Sequence, residues 1–334
     1  MRTDALAAAA LLGALVGCPS ADPVDPGPPA QDLPPPDLSA VDMDAAVLEA
    51  LDLLTRSTTR AAWAGHLAAL DGLGADCPIL WTGVPSGVGE GDGGEDGHGW
   101  QDDCSVGAYG FDGSLGWSTQ ADADGPVLGS RNLVALATVT SGADTLFAME
   151  GEAADSLRLD ENGARWTYTS TFDGAVSGTA VGDPSLPSVA GGWRGASAVT
   201  WVGGARWSLR ASSNVSFGDE RVQGVFDAVD AETYLAGPGA DELGCGLEPH
   251  GRISLRIPGG TWVDVDFFVP PPDGAEPDEM ISNPCDGCGT VSVRGVALGE
   301  ACPDPSPLWT AARLPSADLL DFVLPVRELL SEDR

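Results

Sequence analysis

Ile257-Pro258-Gly259-Gly260-Thr261-Trp262-Val263-Asp264-Val265-Asp266-Phe267 is the stretch whose reading decides the fold class. Its Gly-Gly pair supplies the positive φ that a tight hairpin turn requires, and the residues beyond it alternate with period two. Thr261, Val263, Val265 and Phe267 share one face, and Trp262, Asp264 and Asp266 share the other. Such alternation marks a strand with one side in a core and one side in solvent. A turn dipeptide shortly before a Trp recurs at Glu161-Asn162-Gly163-Ala164-Arg165-Trp166 and at Val202-Gly203-Gly204-Ala205-Arg206-Trp207. Three antiparallel hairpins with type I′ turns are therefore predicted. Trp166 shares its parity with Tyr168, and Trp207 with Leu209, so both indoles are expected in the core, whereas Trp262 is expected at the surface among carboxylates. Asp112-Gly113 and Asp173-Gly174 read as further turns, and Val291 to Leu298 as a further strand pair. The fold class is mainly β: an antiparallel domain over residues 75–315, a meander or sandwich of hairpins, with a split suggested near Pro184 to Gly192.

Upstream of this domain the period changes. Met43, Val47, Leu51 and Leu54 fall at helical spacing, and Asp42 and Asp44 sit where the helix dipole favours anions. A second helical run passes through Ala61, Trp63, Leu67 and Leu70 and stops near Gly72 and Gly74. Residues 43–74 are predicted as a helical segment packed on the β domain. Residues 316–334 are predicted as a C-terminal helix interrupted by Pro325.

Sixteen Arg, no Lys and fifty Asp and Glu give a net charge of −34 over 334 residues. Nucleic-acid binding is excluded on this balance, because neutralising phosphate needs clustered cations. A polybasic hold on anionic lipid is excluded for the same reason. Apolar residues at 43% and ten Trp argue for a packed core, while 45 Gly and 26 Pro argue against a mainly helical chain.

At the N-terminus, Arg2 precedes an unbroken apolar run from Ala5 to Val16, too short to span a bilayer and of the length of a secretory signal. It ends in Leu15-Val16-Gly17-Cys18, which resembles the lipobox of bacterial lipoprotein precursors. The resemblance covers residues 1–18. It implies a signal peptide at 1–17, a diacylglyceryl group on the Cys18 thiol, acylation of the new amine, and a membrane partner reached through that anchor. Several acyl chains hold a protein stably where one does not. Residues 18–42, rich in Pro and Asp and free of basic residues, read as an extended acidic tether. The resemblance places the protein in the bacterial cell envelope. Residue 19 is Pro rather than Asp, which favours the outer membrane over the inner one.

Beyond Cys18 stand six cysteines: Cys77, Cys104, Cys245, Cys285, Cys288 and Cys302. An even number in an exported chain suggests disulfides, and Cys77 with Cys104, framing one Gly-rich loop, is the most direct pairing. The other four stay unassigned. Cys285-Asp286-Gly287-Cys288-Gly289 resembles one knuckle of a zinc ribbon, without the second knuckle, so zinc would have to recruit Cys245 and Cys302 singly.

Two acidic loops are candidate calcium ligands. Asp92 and Asp96 lie in a Gly-rich run with Glu90, Glu95, His98, Asp102 and Asp103, and Asp122 and Asp124 lie in Gln120-Ala121-Asp122-Ala123-Asp124-Gly125, which resembles the start of an EF-hand loop. That loop departs from the pattern at both ends, with Gln120 first and Arg131 twelfth. Neither H-E-x-x-H nor G-x-S-x-G occurs. Trp262, Asp264 and Asp266 form a candidate ligand surface, where an indole stacks on a sugar beside paired carboxylates. The expected function is a binding or structural module without its own catalytic centre and without a cofactor, engaging an unknown protein or glycan. The alternatives are a calcium- or zinc-binding β module and a secreted-type carbohydrate-active hydrolase.

Overall fold

The computed structural model describes residues 37–56, 58–82, 97–101, 103–121, 127–160, 162, 165–181, 192–203, 207–218, 222, 224–237, 248–267 and 286–309. All of them lie in one compact unit, Pro36–Arg334. The signal peptide expected at 1–17, most of the expected tether with Cys18, and the C-terminal helix expected at 316–334 lie outside the described residues.

Two helices open the folded chain, α1 (Met43–Arg56) and α2 (Thr58–Leu70). Asp42 caps α1, its Oδ1 accepting the Ala45 N–H at 3.1 Å. Leu38 and Val41 already pack against the core, so ordered packing begins ahead of Met43. α1 buries Val47, Leu51 and Leu54 as its spacing predicts. α2 differs: it turns Ala61, Ala62, Trp63, His66 and Ala69 inward and leaves Leu67 40% exposed. Gly72 N–H donates to the Ala69 carbonyl and ends it.

The strands are β1 (Leu80–Thr82), β2 (Gly97–Gln101), β3 (Cys104–Val106), β4 (Tyr109–Ala121), β5 (Val127–Ser141), β6 (Asp144–Leu159) and β7 (Trp166–Ser177). They continue with β8 (Trp193–Gly203), β9 (Ser208–Phe217), β10 (Ala228–Ala236), β11 (His250–Ile257), β12 (Thr261–Asp266), β13 (Gly289–Val293) and β14 (Val296–Ala301). Among the described residues they form one open antiparallel sheet in chain order, with β3 pairing onto β4 beside β2. A short 3-10 turn, Ser306–Trp309, follows.

The three predicted hairpins are β6–β7, β8–β9 and β11–β12, with Leu159 opposite Trp166, Val202 opposite Ser208 and Ile257 opposite Thr261, so none closes in the two-residue type I′ turn expected: the connections run over 160–165, 203–207 and 258–260. Gly259 and Gly260 have φ of +98° and +82°, as a Gly-Gly turn should. Pro258 joins them, so this loop is one residue longer than a type I′ turn. Val291 to Leu298 is indeed a strand pair, β13 and β14. Of the split suggested near 184–192, residues 184–191 lie outside the described residues; the flanking strands β7 and β8 are paired from Trp166 opposite Gly203 to Val176 opposite Trp193.

Two expected turns are corrected. Asp112-Gly113 lies inside β4 and Asp173-Gly174 inside β7. Both glycines do take positive φ, +89° and +142°, but they bend long strands rather than reverse them. A Cβ at Gly174 would lie 2.0 Å from the Glu150 carbonyl oxygen of the next strand.

One face of this sheet packs on the helices, α2 against β6 and β7 and α1 against β8 and β9. A sheet this wide curls. Gly72, just past the end of α2, lies against Tyr109 of β4, and Asp44 of α1 reaches the chain beyond β14, its Oδ1 accepting the Cys302 N–H at 2.6 Å. The sheet therefore wraps the helical layer, and residues from both helices and from β2 to β14 share one core.

Disulfides join Cys77 to Cys104 and Cys288 to Cys302, closing 27- and 14-residue separations. Each loop closure of this size stabilises by about 3 kcal/mol in the chain-entropy model.

Candidate functional site

The strand alternation read in the sequence places Val263, Val265 and Phe267 in the core and leaves Trp262 41% exposed. Trp262, Asp264 and Asp266 do come together on the outer face, each opposite a residue of β11: Arg256, Ser254 and Arg252. Those neighbours occupy the carboxylates. Ser254 Oγ donates to Asp264 at 2.6 Å, and Arg252 Nε to Asp266 at 2.5 Å. The hydrogen bond and charge of Asp266 push the Arg252 guanidinium further above its ordinary pKa. Arg256 lies 5.8 Å from the Trp262 ring centre and donates to Asp227 at 2.5 Å. The surface is a ladder of cross-strand pairs, the sheet equivalent of helix side-chain pairs. Only the indole remains open to a planar partner.

A concave surface lies elsewhere on the outer face. Gly151, Gly174 and Gly195 stand opposite one another on β6, β7 and β8, at inward-facing positions, with φ of +126°, +142° and +138°. A Cβ on any of them would come within 2.0 Å of a carbonyl oxygen on the adjacent strand. Glycine alone tolerates this conformation and approach. With no inward side chain in this row, three strands bend together and leave a depression of about 580 Å³ outside, walled by Glu150, Glu152, Asp173 and Arg194. It merges with a groove of about 970 Å³ that crosses β4 to β9 past Leu136, which is 66% exposed. Its volume suits a small ligand or a short polymer segment. Glu152 faces Asp173 directly, a like-charge pair that repels unless a cationic or hydrogen-bonding group lies between.

The inner face carries a polar group that sequence reading missed. Arg131, the residue at the twelfth place of the EF-hand-like stretch, makes a bidentate pair with Asp155, Nε to Oδ1 at 2.8 Å and Nη2 to Oδ2 at 2.7 Å. Tyr168 donates to the same carboxylate at 2.9 Å, and the guanidinium lies 5.1 Å from the Trp63 ring centre. The Asp155 side chain is fully buried. Its signal in the sequence was a carboxylate at an inward position, between Ala153 and Leu157.

His66 is also fully buried, between Trp63 at 5.1 Å and Trp117 at 4.7 Å, and neither ring nitrogen has a hydrogen-bond partner. Burial pushes its pKa down to about 3.

Of the calcium candidates, Asp92, Asp96, Asp122 and Asp124 lie outside the described residues. Asp103, from the first loop, accepts the Gly113 N–H at 3.1 Å. Among the described residues no group of three or more His, Cys, Asp or Glu gathers in a metal-binding arrangement. Cys245 and Cys285 are likewise outside the described residues. Cys288 and Cys302 are bonded to each other, and a disulfide sulfur is no thiolate ligand. The neighbouring Glu248, 2% exposed, accepts the Gly287 N–H at 3.1 Å and so ties the start of β11 to the segment before β13. Compared with known proteins, the chain matches no family model, no curated protein and no solved structure.

Proposed function

We propose that this protein is a lipid-anchored lipoprotein of the bacterial cell envelope, a binding or structural module without a catalytic centre of its own. The observation that carries the reading is Leu15-Val16-Gly17-Cys18 at the end of the apolar run. The acyl chains on Cys18 hold the protein at the membrane, on the outer rather than the inner membrane, and the Pro- and Asp-rich tether sets the β domain off from a negatively charged surface. Two disulfides in the domain are in keeping with an oxidising compartment. The groove over the glycine row and the open face of Trp262 are the surfaces offered to a protein or glycan partner.

The anchor is tested by expressing the full chain and its Cys18→Ser variant in a bacterial host with labelled palmitate. The wild type takes up label, is shortened by the signal peptide and fractionates with membranes, and the variant does none of these. Equal processing and fractionation of the two would overturn the assignment.

A further inference from the structure

Helix α2 meets the sheet through an aromatic seam. His66 stands in it with no exposure and with no hydrogen-bond partner on Nδ1 or Nε2. The ring of Trp63, one turn earlier on α2, lies near-perpendicular to it at 5.1 Å, and that of Trp117 on β4 is tilted against it at 4.7 Å. Among the described residues, ring and ion-pair contacts bring two charged or titratable features to the seam. His98 of β2 stacks on Trp117 at 5.7 Å, and the Arg131–Asp155 pair lies against Trp63, its two charges cancelling each other. Neither offers His66 an anion. Gly65, beside it, brings the helix so close to β6 that a Cβ there would lie 2.4 Å from the Phe147 ring. An imidazolium formed in place would therefore be buried with no hydrogen-bond acceptor and no unpaired carboxylate beside it, only the two indole rings, and the tight packing leaves it no room to turn away.

We propose that His66 is a proton-operated latch: gaining a proton releases α2 from the sheet, while the β-ladders stay paired. The separation of helix from sheet follows from what holds each. The strands are joined by backbone ladders that do not pass through α2, and the disulfide from Cys77 to Cys104 keeps the chain beyond the helix on the sheet. α2 itself is held by the seam and by Thr59, whose hydroxyl shares a 2.7 Å hydrogen bond with Ser170 and donates to the Thr171 carbonyl. Release would open the Trp-lined inner face to solvent or to a partner.

The sign is fixed by linkage. The released ring titrates near its ordinary 6.5, and the buried ring is held down to about 3. Docking is at full strength above pH 6.5. Below it, the ratio of released to docked helix rises about ten-fold per pH unit until the buried value is reached.

Hydrogen exchange read by mass spectrometry on the full chain, from pH 7.5 to 3.5, tests this. The expected result is that amides of α2 lose protection at a pH at least one unit higher than those of β6 and β7. In His66→Leu and His66→Phe, which keep every carboxylate, the α2 transition should move down by at least one unit. Loss of helix and strand protection at one pH, or an unmoved transition in a variant that folds, overturns the latch. Should neither variant fold, the His66 ring nitrogens of the wild type decide by NMR: neutral at pH 5 in the docked form supports it, and ordinary titration near 6.5 with the helix in place overturns it.

Discussion

Among the described residues one side-chain trio occurs twice. On the inner face Arg131 pairs with Asp155 and lies on Trp63; on the outer face Arg256 pairs with Asp227 and lies on Trp262. Distances from guanidinium to ring centre are alike, 5.1 and 5.8 Å. Exposure is not: the inner Arg and Asp side chains are 13% and 0% exposed, and the outer ones 34% and 31%. Identical chemistry in two dielectric settings separates what an ion pair contributes from what its burial imposes. In the outer trio each charge keeps water, so losing one partner leaves the other solvated. In the inner trio the carboxylate has no such alternative and the guanidinium little of it, and Tyr168 adds a third hydrogen bond to the carboxylate.

The contrast predicts unequal costs. Asp155→Ala takes the bidentate carboxylate from a mostly buried guanidinium and an acceptor from Tyr168, and should cost about 3–5 kcal/mol in urea unfolding. Replacing both partners by apolar residues, Arg131→Met with Asp155→Leu, should restore much of it. A single-variant cost below about 1 kcal/mol would break the comparison. Gly65→Ala probes the same inner seam without touching charge. Alanine favours helix by about 1 kcal/mol, yet its methyl meets the Phe147 ring, an overpacking that costs roughly 1–3 kcal/mol. Net destabilisation is expected, and a stabilised variant would show that the helical layer can shift on the sheet. Asp227→Ala on the outer face should cost no more than about 1 kcal/mol, and added salt should shrink the difference from wild type. A salt-insensitive loss as large as that of Asp155→Ala would erase the distinction.

Much of the fold was legible in local pattern. Period-two alternation placed Val263, Val265 and Phe267 inside; Trp166 and Trp207, expected in the core, are only half-buried and stand 5.3 Å apart, near-perpendicular to each other. The Cys77–Cys104 bond was legible because sequence distance left few rivals. Asp-Gly was misleading at Asp112 and Asp173, since the same positive φ serves a turn or a bend in a strand. Which one occurs depends on whether neighbouring strands continue past the glycine, and at Gly174 they do, with Gly151 and Gly195 on either side. In α2 the helical period allowed Leu67 inward, but the close approach at Gly65 selected the face that carries His66. For the ligand surface, the three residues shared a face as expected, but what occupied the carboxylates, Arg252 and Ser254, came from another strand.

By itself the sequence determined the antiparallel hairpins, the two helices ahead of them, the acidic charge and the resemblance of Leu15-Val16-Gly17-Cys18 to a lipobox, because each depends on residues near one another in the chain. Tertiary structure decided the partners of Arg131 and Asp155, the bending of β6 to β8 at their glycines, and the burial of His66. Those rest on which strands lie side by side and how closely a helix approaches them. They are set by the free energy of the whole packed core, to which no single stretch of the chain has access.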